Sequence, residues 1–252
     1  MIAGAGFDAA AEARAVARRL GALEEGPIRA RAAARALAAL DPDRAARVMA
    51  VLLRGASPAA RIAAAAVAQA LADPDPELPY AWRAELYLAA HGRGLDEITA
   101  LLLAPPPLKR FAEPRDKPDA KLAHLTLGHK KAFARTHRDP DLLARLAAEG
   151  EPVVVRELLR NAQLTEPFVV RIAARRPCRP GTLRCIVESR RWRIRPAVAL
   201  AVARNPYAEP EVALKLVPAL ATADLAELSR DGTVHPLVRG MAEKLARERP
   251  RG

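Results

Sequence analysis

Prolines fall along this chain at intervals that leave room only for short helices. Pro140, Pro152, Pro167, Pro180, Pro196, Pro210 and Pro236 each stand where a first helical turn would begin, and a further start lies near Asp224. Proline suits that position, because its missing N–H would have no intrahelical partner there, and it breaks a helix elsewhere. Successive starts are 12 to 16 residues apart, which allows two or three turns at about 3.6 residues each. Upstream, Pro27, Pro42 and Pro58 play the same part, with Asp41 and Ser57 placed to cap the helices that follow. A rod this short cannot bury its own apolar side. It has to lie against neighbours.

The segments also repeat. Pro27–Leu37 reads like Pro58–Leu71, 31 residues on. Between them Ala46, Val48, Met49, Leu52 and Leu53 give the three- and four-residue apolar spacing of a further helix. In the second half, Pro152-Val-Val-Val-Arg-Glu-Leu-Leu-Arg-Asn matches Pro196-Ala-Val-Ala-Leu-Ala-Val-Ala-Arg-Asn, 44 residues apart. The segment starting at Pro167 matches that starting at Pro210, 43 apart. A period near 40 residues, each holding two or three helices, marks a stacked helical array. Composition agrees: 34 of the first 100 residues are Ala and only 4% of the chain is aromatic, which argues against sandwiches and barrels. The expected fold is all-α, a right-handed α-α superhelix of the HEAT/armadillo-like solenoid kind.

Through Pro27–Leu40 and Pro58–Leu71 the N-terminal part resembles bacterial HEAT-like repeats. Through Leu146–Asn161 and Asn205–Leu216 the C-terminal part is similar to leucine-rich repeat variant units. Together the two resemblances cover about four fifths of the chain. They imply a scaffold that binds a partner macromolecule, protein first, across its concave surface. An iron–sulfur cluster accompanies the variant repeats in their founding family, but Cys178 and Cys185 alone cannot hold one, so that property is not carried over. The stretch 104–119 contains five prolines and reads as an extended loop or linker. It separates an expected HEAT-like block, 1–103, from a block of short-helix repeats, 120–252.

Chemistry is hard to find. Two cysteines make neither a disulfide framework nor a metal site. Of His91, His124, His129, His137 and His235, the close pair His124/His129 has no acid or thiol at ligand spacing beside either member. There is no HExxH, GxGxxG, GxxxxGK[ST] or GxSxG. The carboxylate pairs Glu24/Glu25, Asp41/Asp43 and Asp73/Asp75 fall in turns and first helical turns, where they cap amides and oppose the helix dipole. The expectation is a protein that is not an enzyme and uses no cofactor or metal. No stretch reaches the roughly 18 apolar residues of a membrane span and no secretory leader is visible, so a reducing cytoplasmic setting is expected.

Charge is where function shows. The chain carries +12, and 34 of its 41 basic residues are Arg. Coding bias toward Arg and Ala would raise the total evenly, but the excess is concentrated. Residues 171–204 hold ten Arg against the single acid Glu188, and 109–138 hold nine basic residues against three acids. Stacked repeats would align such runs into a stripe. The candidate anion- or partner-binding residues are Lys130, Lys131, Arg171, Arg175, Arg176, Arg190, Arg191, Trp192, Arg193 and Arg195. Guanidinium forks grip carboxylate or phosphate, and Trp192 would stack on a base or sugar. A structural role competes at each position. Arg61 or Arg156 would pair with an acid of the next repeat, Arg175 and Arg176 would cap a helix C-terminus, Trp192 would plug a gap, and Gly128-His129-Lys130-Lys131 would mark a helix start. The partner expected first is an acidic protein. Nucleic acid is the alternative, with a HEAT-like DNA glycosylase a distant third for which no catalytic acid can be placed.

Overall fold

The prolines expected to open helices do so. A computed structural model describes residues 7–72, 76–112 and 119–249; Asp73, Asp75 and residues 113–118 of the proline-rich stretch lie outside them. Among the described residues every regular element is helical. Pro27, Pro42 and Pro58 are the first residues of α2 (Pro27–Ala38), α3 (Pro42–Arg54) and α4 (Pro58–Ala72). The Asp41 carboxylate accepts the Arg44 N–H at 2.9 Å and Ser57 Oγ accepts that of Ala60 at 3.2 Å, so both expected caps are made. The chain divides into two compact units.

The first unit comprises the described residues of Met1–Pro105, Leu214–Asp231 and Pro236–Gly252. It contains α1 (Ala9–Gly21), α2, α3, α4, α5 (Tyr80–Gly92) and α6 (Asp96–Leu102). Here α3 lies against both α1 and α5, while α4 lies against both α2 and α6. Alanine makes this layering close: Ala33, Ala34, Ala45, Ala46, Ala63 and Ala64 are all fully buried, and small side chains bring helix axes toward the short end of the ~8–10 Å range. A 3-10 turn (Val217–Ala219), α15 (Thr222–Arg230) and α16 (Pro236–Glu248) complete the unit from far along the chain. The 3-10 turn packs on α4, and α16 packs on α15, α6 and α3, burying Val238, Met241, Ala242 and Leu245.

Charged clips hold these late segments. Glu97 is buried in α6 and pairs with Arg54 of α3 at 3.0 Å and Lys244 of α16 at 2.6 Å. Arg249, also buried, donates to the carbonyls of Leu53, Pro218 and Leu220 at 2.7–3.2 Å. Burial pulls its pKa down to about 10, so the guanidinium stays charged at neutral pH. Arg61 contributes a like charge beside it. The inter-repeat ion pair expected of Arg61 is not formed among the described residues: its Nε is buried without a partner.

The second unit comprises the described residues of Pro106–Ala213 and Gly232–His235. Its helices are α7 (Leu127–Thr136), α8 (Pro140–Glu149), α9 (Pro152–Leu158), α10 (Glu166–Ala174), α11 (Pro180–Glu188), α12 (Arg190–Arg193), α13 (Pro196–Ala203) and α14 (Pro210–Leu214). The 44-residue period is physical. Buried Asn161, after α9, donates at 2.9 Å to the carbonyls of Ala134 and His137, and its own carbonyl accepts the Gln163 N–H. Buried Asn205, after α13, donates to Ala173 and Arg175 and accepts from Tyr207. Each asparagine satisfies carbonyls left open at the C-terminus of an earlier helix, α7 or α10. Accordingly α7 packs on α9, and α10 on α13. In each case two helices of the second unit are riveted through one amide.

The expected blocks, 1–103 and 120–252, followed chain order. The compact units do not, since the chain leaves the first unit after Pro105 and rejoins it at Leu214.

Candidate functional site

Most of the basic residues of the second unit hold the fold. Lys130 pairs with Glu149 and ties α7 to α8, its side chain largely covered. Thr126 Oγ1 accepts the His129 N–H at 3.3 Å, so Gly128-His129-Lys130-Lys131 is the first turn of α7, capped by its own chain. Lys131 is exposed. Arg176 donates to the Arg204 carbonyl at 2.7 Å. Arg195 faces Glu166 at 3.8 Å, Arg179 faces Glu151 at 3.3 Å, and Arg156 faces Glu188 at 3.6 Å. Arg184 pairs with both Glu209 and Glu211. These pairs join segments distant in sequence, so a ladder of arginine–glutamate contacts runs through the unit and takes up three of the ten arginines of 171–204, Arg179, Arg184 and Arg195.

Trp192 is buried and its indole N–H donates to the Leu159 carbonyl at 2.8 Å. Arg191 lies over its ring, 4.3 Å from the centroid, and donates to the carbonyls of Asn161 and Leu164, both at 3.0 Å. With 2% of the residue exposed, the indole offers no face to a base or sugar. It fills the space between α12 and the turn after α9. Arg190 is exposed and Arg193 half-buried on the same short helix, and each makes a further polar contact.

Arg171 and Arg175 are different. Arg171 sits in the last turn of α10 and Arg175 directly after it, both exposed, and neither has a carboxylate partner among the described residues. Arg171 lies over the Phe168 ring at 5.3 Å. Arg175 ends the helix, where its backbone carbonyl accepts from Asn205. Both border a groove of about 430 Å³ between α8 and α10, floored by Ala144, Ala147, Ala148, Phe168 and Ile172. A smaller cavity of about 60 Å³ shares Ala147 and Ile172 with it and is also lined by Cys178. Burial pushes the Cys178 thiol up to about 11 against the opposing pull of Arg175, and burial also raises Cys185. Neither thiol is an activated nucleophile.

A second cleft, of about 480 Å³, is lined by Arg156, Arg160, Arg190 and Arg191 together with Glu188 and Ser189. Sequence reasoning named Arg190 and Arg191 here, took Arg156 for a ladder residue and missed Arg160. It also missed the apolar floor of the α8/α10 groove, although Phe168/Ile172 and Arg171/Arg175 share one four-residue spacing on α10. Among the described residues no three His, Cys, Asp or Glu side chains gather as a metal site, and no helix is long and apolar enough to cross a membrane. No family model, curated protein or solved structure matches this chain.

Proposed function

We propose that this protein is a non-catalytic binding scaffold, built of HEAT-like and variant-type repeats wound as a right-handed superhelix, that docks an acidic, amphipathic segment of a partner protein. The observation that carries this reading is the groove between α8 and α10, whose floor is apolar and whose rim holds Arg171 and Arg175 without carboxylate partners. An amphipathic helix laid there buries its apolar side on Ala144, Ala148, Phe168 and Ile172. Its acidic residues meet the two guanidinium forks. A nucleic acid gains little from an alanine and isoleucine floor, and Trp192, the aromatic that would stack on a base, is buried. Protein is therefore favoured over nucleic acid.

The test is fluorescence anisotropy with a labelled helical peptide bearing leucines on one face and glutamates on its flanks. Binding to the full chain is expected to weaken about tenfold for each of Arg171→Glu and Arg175→Glu, given ~1.5–3 kcal/mol for a charge-assisted hydrogen bond. Ala148→Asp, on the floor, is expected to weaken it too. If duplex DNA or RNA binds instead, with a log–log salt slope near −0.9 per phosphate and the same dependence on Arg171 and Arg175, the reading gives way to a nucleic-acid interface.

A further inference from the structure

Four arginines from two stretches of the second unit converge on one cleft. Arg156 lies on α9 and Arg160 in the turn after it, while Arg190 and Arg191 open α12. The cleft holds about 480 Å³ and one carboxylate, Glu188. We propose that it binds a phosphate monoester, the group carried by a phosphorylated serine or threonine of a partner protein.

The contacts of three of the four, Arg191, Arg160 and Arg156, support this. Arg191 is held by two carbonyls and by Trp192 beneath it. Its guanidinium has five N–H donors in a fixed fork, and the two nitrogens that bond the carbonyls leave further donors. Its position is therefore set before any ligand arrives. Arg160 bonds Glu157 at 2.9 Å, three residues back on its own chain, and keeps more than half of its side chain exposed. Arg156 stands 3.6 Å from Glu188, beyond the 2.7–2.9 Å of a well-formed charged hydrogen bond. Glu188 thus occupies the cleft as a loosely held internal anion that a phosphate would displace. A dianion with three acceptor oxygens matches several forks at once, where a single carboxylate cannot. A nucleic-acid backbone is the poorer fit, because the aromatic nearest the cleft, Trp192, is buried and provides no stacking platform.

Calorimetric titration of the full chain tests the assignment. The probes are a glycine-flanked phosphoserine peptide, its unphosphorylated twin, inorganic phosphate and a short oligouridine. The phosphopeptide carries no apolar residue and no other acid, so its binding is independent of the α8/α10 groove. The phosphopeptide is expected to bind and to be displaced by inorganic phosphate, and the twin is expected to give no heat. Arg160→Ala and Arg190→Ala should each weaken binding about tenfold while both variants still unfold cooperatively, since both residues are exposed. Glu188→Gln should tighten it several-fold by removing the competing anion. Arg171→Glu should leave it unchanged. Equal binding of peptide and twin, or affinity indifferent to both arginine substitutions, overturns the proposal. Displacement of the phosphopeptide by oligouridine, with higher affinity for the oligonucleotide, replaces it with a nucleic-acid site.

Discussion

The two units solve the same problem, short helices with unfinished ends, by different means. In the first unit the helices are mostly long enough to pack through fully buried alanines, and the buried charged residues among those described, Glu97 and Arg249, act as two clips, each reaching between segments distant in sequence. In the second unit the helices are shorter, and neutral asparagines recur at a fixed interval, each bonding the end of a helix in the same unit. The clips are singular because each closes one long loop. The staples are periodic because each repeat meets the previous one in the same way. A unit held by periodic neutral staples and an arginine–glutamate ladder also leaves its unpaired arginines free for a partner.

The largest expected effect breaks a clip. Glu97→Ala removes a buried carboxylate from between Arg54 and Lys244; both cations keep some solvent and Arg54 keeps Glu248 at 2.6 Å, so the expected cost is about 3 kcal/mol, the low end for breaking a buried ion pair. Urea unfolding should show this loss. A loss below about 1 kcal/mol would mean that apolar packing alone seats α16, and the contrast with the second unit would lose its basis.

Next come the staples. Asn161→Ala and Asn205→Ala each leave one buried carbonyl, of Ala134 or Ala173, and one partly buried carbonyl without its donor, and an unsatisfied buried group costs about 1–3 kcal/mol. Each substitution is therefore expected to cost about 1–3 kcal/mol, with the pair agreeing within about 1 kcal/mol because the bonding pattern is the same. Hydrogen exchange should localise the loosening to the C-terminal turns of α7 and α10 respectively. Unequal losses would show that one asparagine is merely decorative and that the period seen in sequence is not an energetic one.

The helix starts were legible because proline acts locally. Its ring and missing N–H act on its own turn, so Pro140, Pro152, Pro180 and Pro196 announce helices whatever surrounds them. The Arg-Asn pairs at 160/161 and 204/205 were visible as a match, but the partners of the asparagines were not, since a carbonyl at the end of an earlier helix leaves no mark in the sequence. The return of 214–231 and 236–249 to the N-terminal helices was equally hidden. The apolar residues of α16 show that it needs cover, not which helices supply it. Arginine clustering pointed to the right region and overstated its freedom, because the ladder draws on acids spread over Glu151, Glu166, Glu188, Glu209 and Glu211. The groove between α8 and α10 was out of reach for the same reason: its floor comes from two helices whose apposition is a tertiary fact.

The smallest expected effect is a difference in alkaline stability that belongs to the second unit alone. Both cysteines lie there. In the folded chain burial holds the Cys178 thiol neutral up to about pH 11, whereas the exposed thiol of the unfolded chain ionises near its ordinary value of 9.0. Between those values the unfolded state has released its proton and the folded state has not. Stability contributed by this group is therefore complete below about pH 8 and declines as pH rises from 9 toward 11, by at most about 2–3 kcal/mol at ~1.4 kcal/mol per pH unit. Cys185, raised in the same direction, adds to the slope. Comparing urea unfolding of the natural chain with Cys178→Ala at several pH values isolates the contribution, because the charges common to both cancel. The difference should be flat to pH 8 and shrink above it. A flat difference throughout would mean that the thiol meets water or the Arg175 charge strongly enough to ionise in place, so that the small cavity lined by Cys178, which shares Ile172 with the α8/α10 groove, is wet, and the groove would be a poorer seat for an apolar helix face.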